Sequence, residues 1–245
     1  MNIYIIGDTQ SKENVKNPLR VIAKHVCDLK PDYVIHLGDH WDMPSLSKYD
    51  KGKKSHRVKS YSKDVRAGNV SMQEFWDIIN NKWYLNKKDC RFIILKGNHE
   101  NRIVNAEEYG PDELVDLMNE IPLYYYNWDI VVPFLKIIKI GGINFSHYFQ
   151  NEGSARPIGT AKQILNKKHS SCIAGHKQGF DYEEAMSDDK MIQAMILGST
   201  YYHDEEYKAQ TNHHFRGSVI LRNVENGMYD FERFSLKNLD EKYDK

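Results

Sequence analysis

The sequence predicts an α/β fold in a single domain over residues 1–245, and three observations carry that expectation. Short apolar runs in the first half stop at a glycine followed by a polar residue, as buried parallel strands do at their carboxyl ends. Stretches with apolar residues at helical spacing separate those runs, and the last third alternates apolar and polar residues like antiparallel strands. With 40% hydrophobic and 28% charged residues, the chain has enough apolar material for a core and enough charge to remain dissolved.

Residues 2–6 form the first such run and close on Gly7-Asp8. Asn17 before Pro18 is a cap followed by proline at the first helical position, and Leu19, Ile22, Val26 and Leu29 then recur at helical spacing until Pro31. Residues 33–37 are a second buried run ending at Gly38-Asp39, so the opening reads as one β-α-β unit. Residues 48–69 are polar, rich in lysine and without periodicity, and are expected to be a basic loop excursion. Ser71 and Glu74 make a capping box for a helix that turns Met72, Phe75, Trp76, Ile79 and Trp83 inward.

A third strand at 92–95 ends at Gly97-Asn98-His99, and 111–118 reads as a helix. Residues 130–140 and 143–146 read as strands joined by the Gly141-Gly142 turn. A short helix at 160–168, a brief strand at 172–174 and alternating strands at 191–197, 217–223 and 229–234 complete the expectation.

Charge narrows the partners. The 34 basic and 34 acidic residues cancel, so any recognition of an anion has to be local. Cys27, Cys90 and Cys172 are odd in number and widely spaced, which argues against a disulfide framework or a zinc knuckle and for a reducing cytoplasm. No apolar run approaches the roughly 20 residues that span a bilayer, and the amino terminus runs directly into a strand, so no membrane association or export is expected.

The chemistry lies in a recurrence. Gly7-Asp8, Gly38-Asp39, Gly97-Asn98-His99, Ser146-His147 and Gly175-His176 all follow apolar runs, and side chains at strand carboxyl ends can converge on one crevice. Carboxylate, amide and imidazole donors together suit a pair of divalent ions bridging a phosphate. Such ions, roughly 3.5–4 Å apart, can clamp both the attacking and the leaving oxygen of an in-line displacement, so no serine or cysteine nucleophile is needed.

These segments resemble the calcineurin-like metallophosphoesterases, whose motifs run D-x-H, G-D-x-x-D, G-N-H-E/D, a single histidine, and G-H-x-H. Here they read Asp8-Thr9-Gln10, Gly38-Asp39-His40-Trp41-Asp42, Gly97-Asn98-His99-Glu100, His147 and Gly175-His176-Lys177-Gln178. The resemblance implies a sandwich of two mixed β-sheets flanked by helices, with the metal site at strand carboxyl ends. It also implies two divalent metal ions. Asp8, Gln10 and Gln178 would hold the first; Asp39 would bridge both; Asn98, His147 and His176 would complete the second. Hydrolysis would proceed through a metal-bridging hydroxide. His99 would be the general acid, oriented by Asp42, since a carboxylate raises the pKa of an imidazolium.

Gln10 and Gln178 stand where the family has histidines of the first site. An amide oxygen is a harder and weaker donor than imidazole, so the first site should be weak and favour manganese or magnesium, with zinc or iron left open. Met43 stands where the Ser/Thr protein phosphatase branch carries a phosphate-binding arginine, which disfavours that branch. Arg102, Arg156 and His40 are candidate substrate contacts beside the motifs. Segments 97–102 and 210–217 further resemble metallophosphoesterases of tailed-phage type, which would place the protein in a host cytoplasm.

The expected function is a metal-dependent phosphohydrolase, leaning towards a phosphodiesterase or nuclease on nucleic acid or nucleotides. A non-catalytic metal- or nucleic-acid-binding scaffold, a phosphomonoesterase and a dinucleoside polyphosphate hydrolase stay open, because loop geometry decides among them. His25 and His36 read as packed histidines. His203, His213 and His214 share a polar loop, and Tyr124 to Tyr126 with Trp128 read as core or interface aromatics.

Overall fold

Branched aliphatic residues fill both faces of the first three strands, β1 (Ile3–Ile6), β2 (Tyr33–His36) and β3 (Arg91–Leu95), and the three pair in parallel as neighbours. The computed structural model describes residues 1–50, 59–83, 89–109, 125, 127–205 and 212–244. β4 (Ile130–Val132) extends the sheet on one side in parallel, and β10 (Gly217–Glu225) and β11 (Met228–Ser235) extend it antiparallel on the other, giving six strands in the order β11-β10-β1-β2-β3-β4. A second sheet has five strands in the order β5-β6-β7-β9-β8: β5 (Ile138–Ile140), β6 (Ile143–Ser146), β7 (Cys172–Ala174), β8 (Phe180–Ser187) and β9 (Lys190–Leu197). Both sheets are mixed, as the resemblance implied.

The strand period of two sorts the core. Ile3, Ile5, Ile35, Leu37, Ile93 and Leu95 face the second sheet and meet Phe145, Ile173, Met195 and Leu197. Tyr4, Ile6, Val34, Phe92 and Ile94 face the other way, under α1 (Leu19–Leu29), α2 (Tyr61–Trp83) and α5 (Leu236–Tyr243). On the outer face of the second sheet α4 (Ala161–Lys168) covers β7, β8 and β9, with Thr160 capping it by accepting from the Gln163 N–H. No helix among the described residues is long and apolar enough to cross a membrane.

Three expectations need correction. The polar stretch 48–69 is not one loop, because its last nine residues are the start of the 23-residue α2. The inward positions there are Val65 and Gly68, and a Cβ on Gly68 would lie 2.1 Å from Trp41 Cδ1, so a glycine occupies the place where a helical pattern shows a hydrophobe. Ser71 and Glu74 therefore lie within a helix rather than at its start. Ser71 Oγ donates to Asn17 Oδ1 (2.6 Å) and Asn17 Nδ2 donates to Glu74 Oε2 (2.8 Å), while Asn17 Oδ1 also caps α1 by accepting from the Leu19 N–H. Third, 130–140 is two strands. The chain breaks at Pro133 and at Leu135, whose φ is +63°, and passes from one sheet to the other. Lys51, Lys53, Lys54, Arg57, the helix expected at 111–118, and Tyr124 and Tyr126 lie outside the described residues; Tyr125 and Trp128 are core residues.

His25 links the fold to pH. Its Nδ1 lies 2.9 Å from the Tyr4 hydroxyl, which also bonds Ser218 Oγ at 2.6 Å, and its ring packs edge-on to Phe234. Burial lowers this imidazole from the ordinary 6.5 to about 4, so the native chain holds it neutral while the unfolded chain takes a proton. Its contribution is therefore complete above pH 6.5 and is lost as the pH falls towards 4. That loss amounts to about 3 kcal/mol. Melts of His25→Gln should decline less steeply from about pH 7 to about pH 4.5 than those of the parent; parallel decline would show that His25 does not titrate with unfolding.

Candidate metal centre and active site

Parallel pairing puts the ends of β1, β2 and β3 at one edge, so Asp8, Asp39 and Asn98-His99 leave side by side. β6 and β7 are parallel neighbours in the facing sheet and deliver His147 and His176 to the same place. The loops after β1 and β2 are zipped together: the Gln10 N–H donates to Asp39 O (2.9 Å) and the Ser11 N–H to His40 O (2.8 Å). Gln10, Asp39 and His176 hold φ of +38°, +52° and +63°, a left-handed conformation that costs free energy for residues with a Cβ and concentrates at functional sites. Gly97 permits a close approach, since a Cβ there would sit 2.1 Å from Asp39 Oδ1.

Donor atoms converge. His147 Nε2 lies 3.0 Å from Asn98 Oδ1 and 3.2 Å from Asp39 Oδ2, while its Nδ1–H donates to Leu37 O at 2.8 Å, which fixes the tautomer that leaves Nε2 for a ligand. One ligand atom each from Asp39, His147 and His176 lie within 4.8 Å of one another. Asp8 accepts the His176 N–H at Oδ1 (3.1 Å), but its Oδ2 and the Oε1 of Gln10 are buried without a hydrogen-bond partner. Buried oxygens left so are costly unless a cation answers them, and both belong to the proposed first site. The residues present therefore fit divalent ions.

Electrostatics follow the same geometry. Burial raises the Asp8 carboxyl well above the ordinary range, with Asp39 adding to the rise against the lowering by His147. Burial also acts to raise Asp39, but His147 and His99 outweigh it and hold that carboxyl well below the ordinary range. For His147, burial is outweighed by Asp39 and Asp8, which lift it to about 9, whereas burial takes His176 down to about 4. His147 must shed its proton before Nε2 can ligate, so metal uptake should release protons.

His99 stands beside the donors. Its Nδ1 is 2.8 Å from Asp42 Oδ1, and its Nε2 is 3.7 Å from Asp39 Oδ2 and 3.0 Å from Arg102 Nη2. Arg102 is fixed by donating from Nη1 to Asp42 O (2.9 Å) and Met43 O (3.2 Å). Burial opposes protonation of His99, but Asp39 and Asp42 outweigh it and raise the imidazole. Asp42 is held at about 2, burial being outweighed by His99, Lys12 and Arg102. Lys12 Nζ joins Asp42 Oδ2 (3.4 Å) to Glu205 Oε1 (3.3 Å).

Among the described residues, His40 and Arg156 are not bonded to the donor cluster. His40 is fully buried, with Nδ1 2.6 Å from Thr9 Oγ1 and Nε2 2.9 Å from Gly68 O, so both ring nitrogens are spent on tying the β2 loop to α2 and neither is left for a substrate. Arg156 is exposed on the 150–157 loop, and among the described residues no bond joins it to the cluster. Gln178 is half-buried beside Lys177 and Gly179, two residues past His176. His203 stacks on Tyr201 and contacts Glu205 at 2.9 Å, while His214 reaches Ser199 Oγ at 3.0 Å, so these two histidines engage separate partners.

Glu100 was visible in the sequence only as a motif letter. Its buried carboxylate accepts the N–H groups of Asp39 (3.0 Å), His40 (2.5 Å), Trp41 (3.0 Å) and Gly97 (2.8 Å), binding the β2 loop to the β3 loop. No sequence signal could have shown this, because three of those donors lie about 60 positions away.

Comparison with known proteins gives the family. Residues 1–222 match the family model described as calcineurin-like phosphoesterase. The Gene 54 protein of Mycobacterium phage L5 is 24% identical over 183 residues, 71% of this chain and 68% of that protein. The Gene 54 protein of Mycobacterium phage D29 is 33% identical over 68 residues, 26% of this chain and 27% of that one. Among solved structures, Vps29 from Entamoeba histolytica, determined with zinc, aligns over 96% of this chain and 99% of its own at 14% identity and TM-score 0.43. Yfce, a phosphoesterase from E. coli, aligns over 96% and 100% at 8% identity and TM-score 0.41. A family match over residues 1–222, on a chain whose carboxylate, amide and imidazole donors meet at one edge of two mixed sheets, shows that it belongs to the calcineurin-like phosphoesterases and is a metal-dependent phosphoric ester hydrolase.

Proposed function

We propose that the protein is a phosphodiesterase acting on nucleotide or nucleic-acid esters, with His99 as the general acid. The observation that carries this reading is the pairing of His99 Nδ1 with Asp42 Oδ1 at 2.8 Å while Nε2 faces the donor cluster around Asp39. Asp8, Gln10, Asp39, Asn98, His147, His176 and Gln178 would hold two divalent ions, which when bound polarise the phosphoryl group and supply a nucleophile from water at neutral pH. Oxygen-rich donors at the first site favour manganese.

This chain's side chains then supply the rest. Asp42 keeps the His99 ring oriented and favours its protonated form, so that Nε2–H can be given to the departing alkoxide. Arg102 has only donors, so its 3.0 Å bond from Nη2–H requires an unprotonated Nε2; a phosphate oxygen that draws Arg102 to itself leaves Nε2 free to take up the proton that it then gives to the alkoxide. A diester needs this acid more than an aryl monoester does, because an alkoxide is a poor leaving group. Met43, buried where a protein phosphatase would place an arginine, leaves the monoester's extra charge without that partner. Cys27, Cys90 and Cys172 are all buried free thiols, which suits a reducing cytoplasm.

The test strips the protein, titrates manganese, magnesium and zinc separately, and follows bis-aryl, dialkyl and mono-aryl phosphates, the dialkyl ester being the one whose leaving group can only be an alkoxide. His99→Ala should lose about 10²–10⁴-fold on the diester with the poorer leaving group while binding as much metal as the parent. Equal turnover of that ester by the variant would remove His99 from the acid role. Bound metal with no turnover under any ion would favour the non-catalytic scaffold.

A further inference from the structure

Beside the metal centre a cavity of about 520 Å³ opens between the loop after β1 and α2. Thr9, Gln10 and Ser11 are part of its lining, and Gln10 is one of the residues that would hold the first ion. Gln10 Oε1 and Ser11 Oγ are buried there without hydrogen-bond partners, and both side chains are more than nine-tenths buried. Unanswered polar atoms in the lining of a cavity point to a ligand or its hydration.

The rim is basic although the chain as a whole is neutral. Lys12, Lys16, Arg20, Lys63 and Arg66 line the cavity, against Glu13 and Glu74 as its acids. Three of the cations are engaged. Lys12 meets Asp42 and Glu205, Lys16 meets Asp240 and Asp244 (both 2.9 Å), and Lys63 meets Glu13 (3.1 Å). Arg20 and Arg66, one on α1 and one on α2, are exposed and make no salt bridge among the described residues. The amino-terminal turn of the 11-residue α1 opens on the same space and carries no acidic residue, adding its positive dipole end. Between the cations lies an apolar strip of Val15, Ala67 and Val70, and Val70 is 51% exposed.

We propose that this cavity receives the nucleotide next to the scissile phosphate of a single-stranded nucleic acid, its phosphate held by Arg20 and Arg66 and its base laid on Val15, Ala67 and Val70. The inference rests on the hydrolase reading above and assigns that site its substrate class. A guanidinium offers paired N–H donors that match phosphate oxygens, and two of them facing one cavity from two helices recognise a charge beyond the one at the metals. The volume lies within the range of small-ligand sites and suits one nucleotide. An aryl diester has neither a second phosphate nor a base to place there.

The experiment uses the full chain with manganese and compares the parent with Arg20→Gln, Arg66→Gln and the double variant. A fluorescently labelled oligothymidylate with phosphorothioate linkages is the binding probe, read by anisotropy over a salt series in metal-free and metal-loaded protein. The double variant should bind it at least about tenfold more weakly, with a shallower dependence on salt. Its kcat/KM on the unmodified oligothymidylate should fall at least about tenfold relative to its kcat/KM on a bis-aryl phosphate, mostly through KM. Unchanged binding and an unchanged ratio would overturn the proposal. Loss confined to a dinucleoside polyphosphate, with oligothymidylate unaffected, would overturn the nucleic-acid strand as occupant. The hydrolase reading fails separately, by absence of bis-aryl turnover in the parent under every metal, and arginine-dependent oligonucleotide binding would then still stand. Thermal melts of each variant confirm that the folded protein is being compared.

Discussion

Asp39→Asn should cost about a thousandfold or more in turnover, about 4 kcal/mol of transition-state stabilisation, in a chain that still folds. Asp39 presents Oδ2 3.2 Å from His147 Nε2 and accepts the His99 N–H at Oδ1 (2.8 Å), so one carboxylate faces both the donor cluster and the acid's backbone. An asparagine keeps a single oxygen. Its amide N–H₂ would either face His147 Nε2 or displace the bond from His99, and the negative charge that draws cations in is gone. Backbone strain is not the reason for choosing this variant, because asparagine tolerates the left-handed φ of +52° at this position better than most residues do. The metal-free variant should stay folded but melt lower than the parent, since the charge that His147 and His99 hold ionised is lost and the relief of repulsion beside Asp8 offsets only part of that. The upward shift in Tm that manganese gives the parent should largely disappear. Calorimetry with and without manganese, beside turnover of a bis-aryl phosphate, checks both halves. A variant that keeps turnover within tenfold would remove Asp39 from the bridging position.

The donors were legible because each follows an apolar run, and such runs mark parallel strand ends whatever the loops between them do. Asp8, Asp39, Asn98, His147 and His176 thus meet although 168 positions separate the first from the last. The same reasoning misplaced His40. Sequence shows that it neighbours Asp39, but not that β2 has just turned its ring under Thr9 and Gly68. The start of α2 escaped for a packing reason: Gly68 gives way to the Trp41 ring, so the residue that fixes the helix against the site carries no hydrophobic signature. β8 (Phe180–Ser187) escaped because Asp181, Glu183 and Glu184 dilute its pattern, which an edge strand tolerates with one face in solvent. In each case the sequence records the residue type, and the partner that gives it meaning comes from a distant segment.

Glu100→Gln should weaken the fold and the metal site together. The Glu100 carboxylate accepts four backbone N–H groups, two at Oε2 from Asp39 and Gly97 and two at Oε1 from His40 and Trp41. Burial pushes its pKa up, Asp39 adds to that, and the N–H groups of Trp41 and Gly97 pull it back. Glutamine fits the same volume, but its amide nitrogen would face two N–H donors and leave both without an acceptor. Each buried N–H so abandoned costs about 1–3 kcal/mol, for a loss of about 3 kcal/mol and a fall in Tm on the order of 8 °C. The site would suffer with the fold, because the loop that Glu100 grips carries Asp39 in its strained conformation. Manganese affinity should drop about 10–100-fold, as it does when the groups that orient metal ligands are removed. Melting the metal-free variant separates the two effects, and metal titration then reads the second. Stability and affinity both equal to the parent's would mean that the strained loop around Asp39 holds itself, and that the four hydrogen bonds to Glu100 contribute nothing beyond what water would give.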